Sequence, residues 1–163
     1  MKTIKLTQGY EAMVDDEDFE FLNQWKWHAL KFKCGIVYAV RTSNAFERKK
    51  GFPKNIYLHR YLLDYPKNFH VDHVDNNSLN NVRNNLRLVT QSQNQQNAKL
   101  SAKSTSKYKG VHYHKKDKRY RACIGFNRRK IQIGNFLTAI EAAKAYNEAA
   151  VKYFGSYARL NLV

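Results

Sequence analysis

The chain has 163 residues, with 29 Lys and Arg against 13 Asp and Glu, for a net charge of +16. Hydrophobic residues make up 43%, enough for a modest core, so wholesale disorder is excluded. A charge this far from neutral points to a polyanionic partner, either nucleic acid or an anionic membrane.

No apolar run approaches the roughly 18 residues that span a bilayer. The N-terminal MKTIKLTQGYEAMVDDED also lacks the apolar stretch of a signal peptide. The expectation is therefore a soluble, cytoplasmic protein that binds nucleic acid rather than membrane. Cys34 and Cys123 stand far apart with no C-x-x-C spacing, so neither a disulfide framework nor structural zinc is expected. Residues 101–163 hold 14 Lys and Arg against 3 Asp and Glu, which puts +11 of the charge in the last third.

In chain order, Thr3 to Thr7 reads as a short strand. Asp15 to Asp18 place carboxylates at a helix start, where they complement exposed N–H groups. Phe19, Leu22 and Trp25 recur at helical spacing as a core face. Trp25 and Trp27 both offer surfaces for base stacking, with core packing favoured for Trp25. IVYAVRT (36–42) alternates and is β-branched, so it reads as a strand. FERKKGFPKN (46–55) reads as a turn-rich basic loop. IYLHRYLLDYP reads as a strand entering a short helix that Pro66 stops. From His70 the order is strand (HVDHV), Asn-rich loop (75–85), strand (86–90) and helix (91–100). SAKSTSK (101–107) has the composition of a linker and separates a module of residues 1–100 from one of residues 108–163.

Residues 70–97, HVDHVDNNSLNNVRNNLRLVTQSQNQQN, carry the chemistry. His73 is the candidate general base, since an imidazole titrates near neutrality. Asp72 and Asn94 offer hard oxygens suited to Mg²⁺ (or Mn²⁺), which accepts one or two protein ligands beside phosphate oxygens. Asn85 reads as a loop tie whose amide holds the segment bearing His73. Asp75, Asn76, Asn77, Asn80 and Asn81 read as turn formers. His59 either supports the metal or scissile phosphate, or is simply bonded at a strand–helix junction. Arg60 beside it is a candidate for backbone phosphate contacts. His28 and His70 read as surface or packing residues.

The Asp72–His73 pair, with Asn85 and Asn94 following at intervals of twelve and nine residues, resembles the core of the HNH (His-Me finger) endonucleases. The likeness is greatest to the small enzymes of phages and mobile introns. It implies a ββα-metal module with its core at about residues 56–100, and hydrolysis of DNA phosphodiester bonds. It also implies His73 as base, Asn85 in support, and Asp72 and Asn94 on the metal. A homing-type enzyme that acts as a monomer and nicks one strand is the corresponding expectation.

After the linker, KGVHYHKK, RYRACIGFN and RKIQIGNF read as three strands. TAIEAAKAYNEAAVKYFG reads as a helix with a Thr138–Glu141 capping box and a Gly155 stop. YKGV (108–111), the strand around Ala122 to Ile124, IGNF (133–136), TAIEAAKAYNEAA (138–150) and FGSYARLNL (154–162) together resemble the ethylene-response-factor (Apetala-type) DNA-binding domain. His112, His114 and Gln132 depart from the pattern common in plant members, so target preference does not carry over. On alternation, His112 and His114, Arg119 and Arg121, and Lys130 and Gln132 form a face for the major groove of duplex DNA. Ala122, Ile124, Ile131 and Ile133 meet the helix on the opposite side.

The fold class expected is α+β: an N-terminal ββα-metal nuclease module, then a three-stranded antiparallel sheet packed on one helix. The function expected is a metal-dependent DNA endonuclease with no small-molecule substrate. The second reading is a DNA-binding regulator with an inactive nuclease core. A third is an RNA binder that uses Tyr108, Tyr113 and Tyr120.

Overall fold

The described residues of the computed structural model, 1–97, 100 and 106–163, hold ten strands and five α-helices. They divide into two units, Met1–Thr90 and Gln91–Val163. Residues 98–99 of the expected helix and 101–105 of the expected linker lie outside the described residues.

The first unit opens with β1 (Lys2–Lys5), antiparallel to β2 (Glu11–Val14). The first strand ends at Lys5, short of the expected Thr7. Residues 7–9 instead form a 3-10 turn in which Gln8 and Gly9 take φ of 63° and 74°, reversing the chain. Helix α1 (Asp16–Asn23) carries Asp16, Glu17 and Asp18 in its first turn, where their charge opposes the positive end of the helix. It stops at Asn23, so Trp25 lies beyond the helix that was expected to carry it.

Strands β3 (His28–Lys31), β4 (Val37–Thr42) and β5 (Asn55–Tyr57) form an antiparallel sheet in that order. Strand β3 was not expected, and the segment expected as a loop at 46–55 contains helix α2 (Ala45–Lys49). That helix rests on a capping box. The Asn44 side chain accepts from the Glu47 N–H at 2.8 Å, and Glu47 Oε2 accepts from the Asn44 N–H at 2.9 Å. Glu47 also grips Arg41 through both carboxylate oxygens, at 2.5 and 2.9 Å. The Arg41 guanidinium is buried 4.4 Å over the Trp25 ring and 5.0 Å over Tyr61. An ion pair this far from water depends on its bidentate geometry and aromatic faces to offset desolvation.

Helix α3 (Leu58–Leu62) follows β5 directly. It ends before Pro66, where Asp64 and Tyr65 take positive φ. Strands β6 (His70–His73) and β7 (Leu86–Val89) pair antiparallel, with Asp72 opposite Arg87 and His73 opposite Leu86. Ile4, Val14, Leu22, Trp27, Ile56 and Leu58 are central to the core. Trp27 is 4% exposed, and its Nε1–H donates to the Leu22 carbonyl at 2.9 Å, which removes it as a base-stacking platform.

The second unit begins with α4 (Gln91–Asn97). Strands β8 (Val111–His114), β9 (Arg119–Phe126) and β10 (Arg129–Phe136) form an antiparallel sheet with β9 in the centre. Helix α5 (Ala139–Phe154) starts at the Thr138–Glu141 capping box and ends at Gly155, φ 54°. Its buried face of Ala142, Ala143, Tyr146, Ala150 and Phe154 packs with Val111, Ala122 and Ile124. Alanine at three of these positions lets the helix lie close to the sheet. The C-terminal segment is tied back by Asn161, which bonds Lys109 N–H at 2.7 Å, the Lys109 carbonyl at 3.1 Å and the Asn147 amide at 2.7 and 2.9 Å. No helix among the described residues is long and apolar enough to cross a membrane.

Candidate active site and nucleic-acid surface

Within the first unit, β6 brings Asp72 and His73 to adjacent positions, and α3 brings in His59. His59, Asp72 and His73 are all buried. The two imidazole rings lie 5.1 Å apart between centroids, inclined at 64°. Tyr38 from β4 packs 5.1 Å from His59 and 6.4 Å from His73, and Tyr57 lies 5.8 Å from His59. Tyr57 is two residues from His59 in the chain, but nothing in the local sequence marks Tyr38 as a neighbour of the histidines, because sheet β3–β4–β5 brings it there.

Burial dominates the titration of both histidines, because a low-dielectric site disfavours the cation. With the positive neighbours His73 and Arg60 adding to it, His59 is pushed down to about 3 and stays neutral. Burial also lowers His73, against an upward pull from its bond to Asn81 and from the Asp75 and Asp72 carboxylates. A neutral imidazole at ordinary pH is the form that can accept a proton.

The Asn-rich loop is built around Asp75. Its carboxylate accepts from Asn77 N–H at 2.8 Å, Asn80 Nδ2 at 2.7 Å and Asn85 Nδ2 at 2.9 Å. Burial raises the Asp75 carboxyl, but these bonds outweigh it and hold the group below its usual range. Asn85 bonds in four directions. Its Oδ1 accepts from Asp75 N–H at 3.0 Å, its Nδ2 also donates to the Asn80 carbonyl at 2.8 Å, and its backbone carbonyl accepts from Val74 N–H at 2.9 Å. The segment that follows His73 is thereby closed onto the start of β7. Arg83 fastens the far end of the loop, pairing with Asp18 at 2.7 and 2.8 Å and bonding the Asp15 carboxylate through its N–H at 2.8 Å.

The Asp72 Oδ2 accepts from Arg87 at 2.8 and 2.9 Å across the β6–β7 pair. Among the described residues there is no group of three or more His, Cys, Asp or Glu side chains placed to hold a metal. The Asp72 carboxylate is a hard oxygen donor of the kind taken by an ion that accepts few protein ligands and keeps water and phosphate oxygens. Asn94 lies on α4 in the second unit. Arg60 donates to the Pro66 carbonyl at 3.1 Å and stacks 5.2 Å over Tyr65, so in the protein alone it braces the end of α3.

In the second unit, strand register puts His112 opposite Arg121, and His114 opposite Arg119. Gln132 lies opposite Cys123 and Lys130 opposite Gly125. All six polar side chains thus share the sheet face away from α5. Asp117 intrudes on this basic face, pairing with Arg121 and with His114 Nδ1 at 3.0 Å.

The HNH endonuclease family profile matches residues 64–96, a span that includes Asp72, His73, Asn85 and Asn94. An uncharacterized HNH endonuclease, L560 of Acanthamoeba polyphaga mimivirus, is 34% identical over 162 residues, covering 96% of this chain and 77% of that protein. The chain belongs to the HNH endonuclease family. Protein 3.8 of Escherichia phage T7 is similar to part of this HNH endonuclease, at 36% identity over 59 residues, 36% of this chain and 49% of that protein. No solved structure matches.

The sequence reading of this HNH protein missed one polar residue that the fold buries beside His73. Asn81 is 1% exposed, and its Oδ1 lies 3.3 Å from His73 Nε2. In sequence it is one more asparagine in a run that turn chemistry already explains, so no local signal separates it from its neighbours.

Proposed function

We propose that this chain is a metal-dependent DNA endonuclease of the homing type in which His73 is the general base and Asp72 a metal ligand. The observation that carries the reading is His73, buried and held neutral, directly after the buried Asp72 along β6, within the span that matches the HNH family. A hard divalent ion such as Mg²⁺, held by Asp72, would neutralise charge on the scissile phosphate and stabilise the departing oxygen. The residues of the chain do the rest. His73 takes a proton from the attacking water, and Asn85 holds the loop that follows it. His59, kept neutral, packs against His73 and limits where its ring can turn. The expectation for Asn94, a further oxygen ligand, belongs to the same proposal and rests on the sequence spacing.

In this proposal the basic sheet face of the second unit, the part resembling the Apetala-type domain, binds duplex DNA and positions the cut. Its support is the +11 excess over residues 101–163 and six polar side chains on one face. A single active site per chain favours nicking over a double-strand break.

The test is conversion of supercoiled plasmid to nicked circles by wild type and His73→Ala, with Mg²⁺ and with EDTA. Wild type with Mg²⁺ should nick, while His73→Ala should lose at least ~100-fold, the usual scale for general-base catalysis. Removing the metal should abolish nicking. Equal nicking by both proteins would sink the base assignment. DNA binding without nicking by wild type would favour the regulator.

A further inference from the structure

The asparagines around Asp75 divide by what their side chains do. Asn77 Oδ1 accepts from Leu79 N–H, Asn80 grips Asp75, and Asn85 spans Asp75 and the Asn80 carbonyl. Each of these bonds shapes the loop. Asn81 is different: its side chain ties no part of the loop, and among the described residues its one hydrogen-bonding neighbour is the His73 imidazole. Its Nδ2 is buried with no partner.

Its backbone, by contrast, is held firmly. The Asn81 N–H donates to the Met13 carbonyl and the Met13 N–H donates to the Leu79 carbonyl, both at 2.8 Å, which straps the loop to β2. Ser78 adds a bond to the Val37 carbonyl at 2.6 Å. The amide therefore presents itself to His73 from a rigid mount. Leaving one end of a buried amide unsatisfied costs about 1–3 kcal/mol, a cost that leucine, of similar volume, would not incur. Packing does not account for asparagine here; a task at His73 does.

We infer that Asn81 is a positioning residue whose Oδ1 accepts the Nε2–H of neutral His73, fixing the tautomer that keeps the lone pair on Nδ1. The two ring nitrogens of a neutral imidazole have opposite roles, and the bond made by one decides the role of the other. A carboxamide oxygen can only accept, so it selects Nε2–H. The proton from water then goes to Nδ1. This inference rests on His73 being the base, as proposed above.

The experiment reads the tautomer directly, through long-range ¹H–¹⁵N correlations of the histidine side chains in the full-length ¹⁵N-labelled protein. His73 is assigned by the signal lost in His73→Gln. Wild type should carry the His73 proton on Nε2, and Asn81→Leu should give a mixture of tautomers. In parallel, Asn81→Leu should lower kcat for plasmid nicking at saturating DNA by ~10-fold or more. KM should stay within about twofold and the thermal midpoint should not fall below wild type by more than a few degrees. A wild-type proton on Nδ1, or an unchanged kcat in Asn81→Leu, overturns the inference. Should Asn81→Leu not fold, the wild-type spectrum alone decides. The tautomer is observed without any turnover, so failure here is distinct from failure of the base assignment, which shows as nicking by His73→Ala.

Discussion

At the scale of single residues, His59 couples the site to stability. In the unfolded chain its imidazole titrates near 6.5, and in the folded protein it is pushed down to about 3. The folded state therefore binds fewer protons between those values. Stability contributed by the neutral ring is present above about pH 6.5 and is lost as pH falls toward 3. At pH 5 the loss from this residue should be ~2 kcal/mol, from 1.36 kcal/mol per unit. His73 shifts in the same direction, so wild type alone does not isolate the effect. His59→Gln does, because the amide is neutral throughout. Both tryptophans lie in the first unit, so Trp fluorescence reports its unfolding. Urea titrations of metal-free protein at pH 7 and pH 5 should show wild type losing ~2 kcal/mol more than His59→Gln. Parallel losses would mean that His59 is not held neutral by burial.

At the scale of elements, Gly110 governs how α5 meets its sheet. It sits just before β8 with φ of 75°, where a non-glycine residue is strained. An added Cβ would enter the Tyr146 ring and lie 2.7 Å from the Cys123 carbonyl oxygen, and the Cys123 N–H donates to the Gly110 carbonyl at 2.8 Å, which holds the two backbones together. Gly110→Ala should destabilise the second unit by ~3 kcal/mol, combining overpacking with positive-φ strain. Amide hydrogen exchange along β9 should accelerate by roughly 100-fold accordingly. Unchanged protection would show that Tyr146 can move aside without cost.

The same unit shows what was legible in the sequence. Its alternating strands, its alanine-rich helix and the Thr138–Glu141 box are local signals, and β8, β9, β10 and α5 stand where those signals put them. In the first unit, β3 and α2 were not legible. The strand KFK-flanked HALK is only four residues long, and α2 spans five residues whose order depends on Asn44 and on the grip of Glu47 on Arg41. At the site, Asp72, His73 and Asn85 could be picked out because each is a distinct chemical type at a fixed spacing. Tyr38 and Asn81 reach the histidines through sheet and loop packing, which no spacing encodes.

At the scale of the whole molecule, charge and chemistry are divided along the chain. The first unit carries His59, Asp72, His73 and Asn85, and residues 101–163 carry +11 of the +16. If the basic face binds duplex DNA, affinity should fall linearly in log–log terms with salt, with a slope of about −0.9 for each phosphate neutralised. Arg119 and Lys130 are exposed members of that face, and Arg119→Gln and Lys130→Gln should each make the slope shallower by about 0.9. Arg121 differs because Asp117 already pairs with it. Arg121→Gln removes a charge that is partly neutralised, so its effect on the slope should be smaller than that of Arg119→Gln. Fluorescence anisotropy with a short labelled duplex, read between about 50 and 200 mM salt, measures all three. These changes alter DNA affinity and none replaces a group proposed to act in the chemical step, so nicking at saturating DNA should hold within about twofold while binding weakens. Slopes unchanged in Arg119→Gln and Lys130→Gln would move the DNA-binding surface off this sheet.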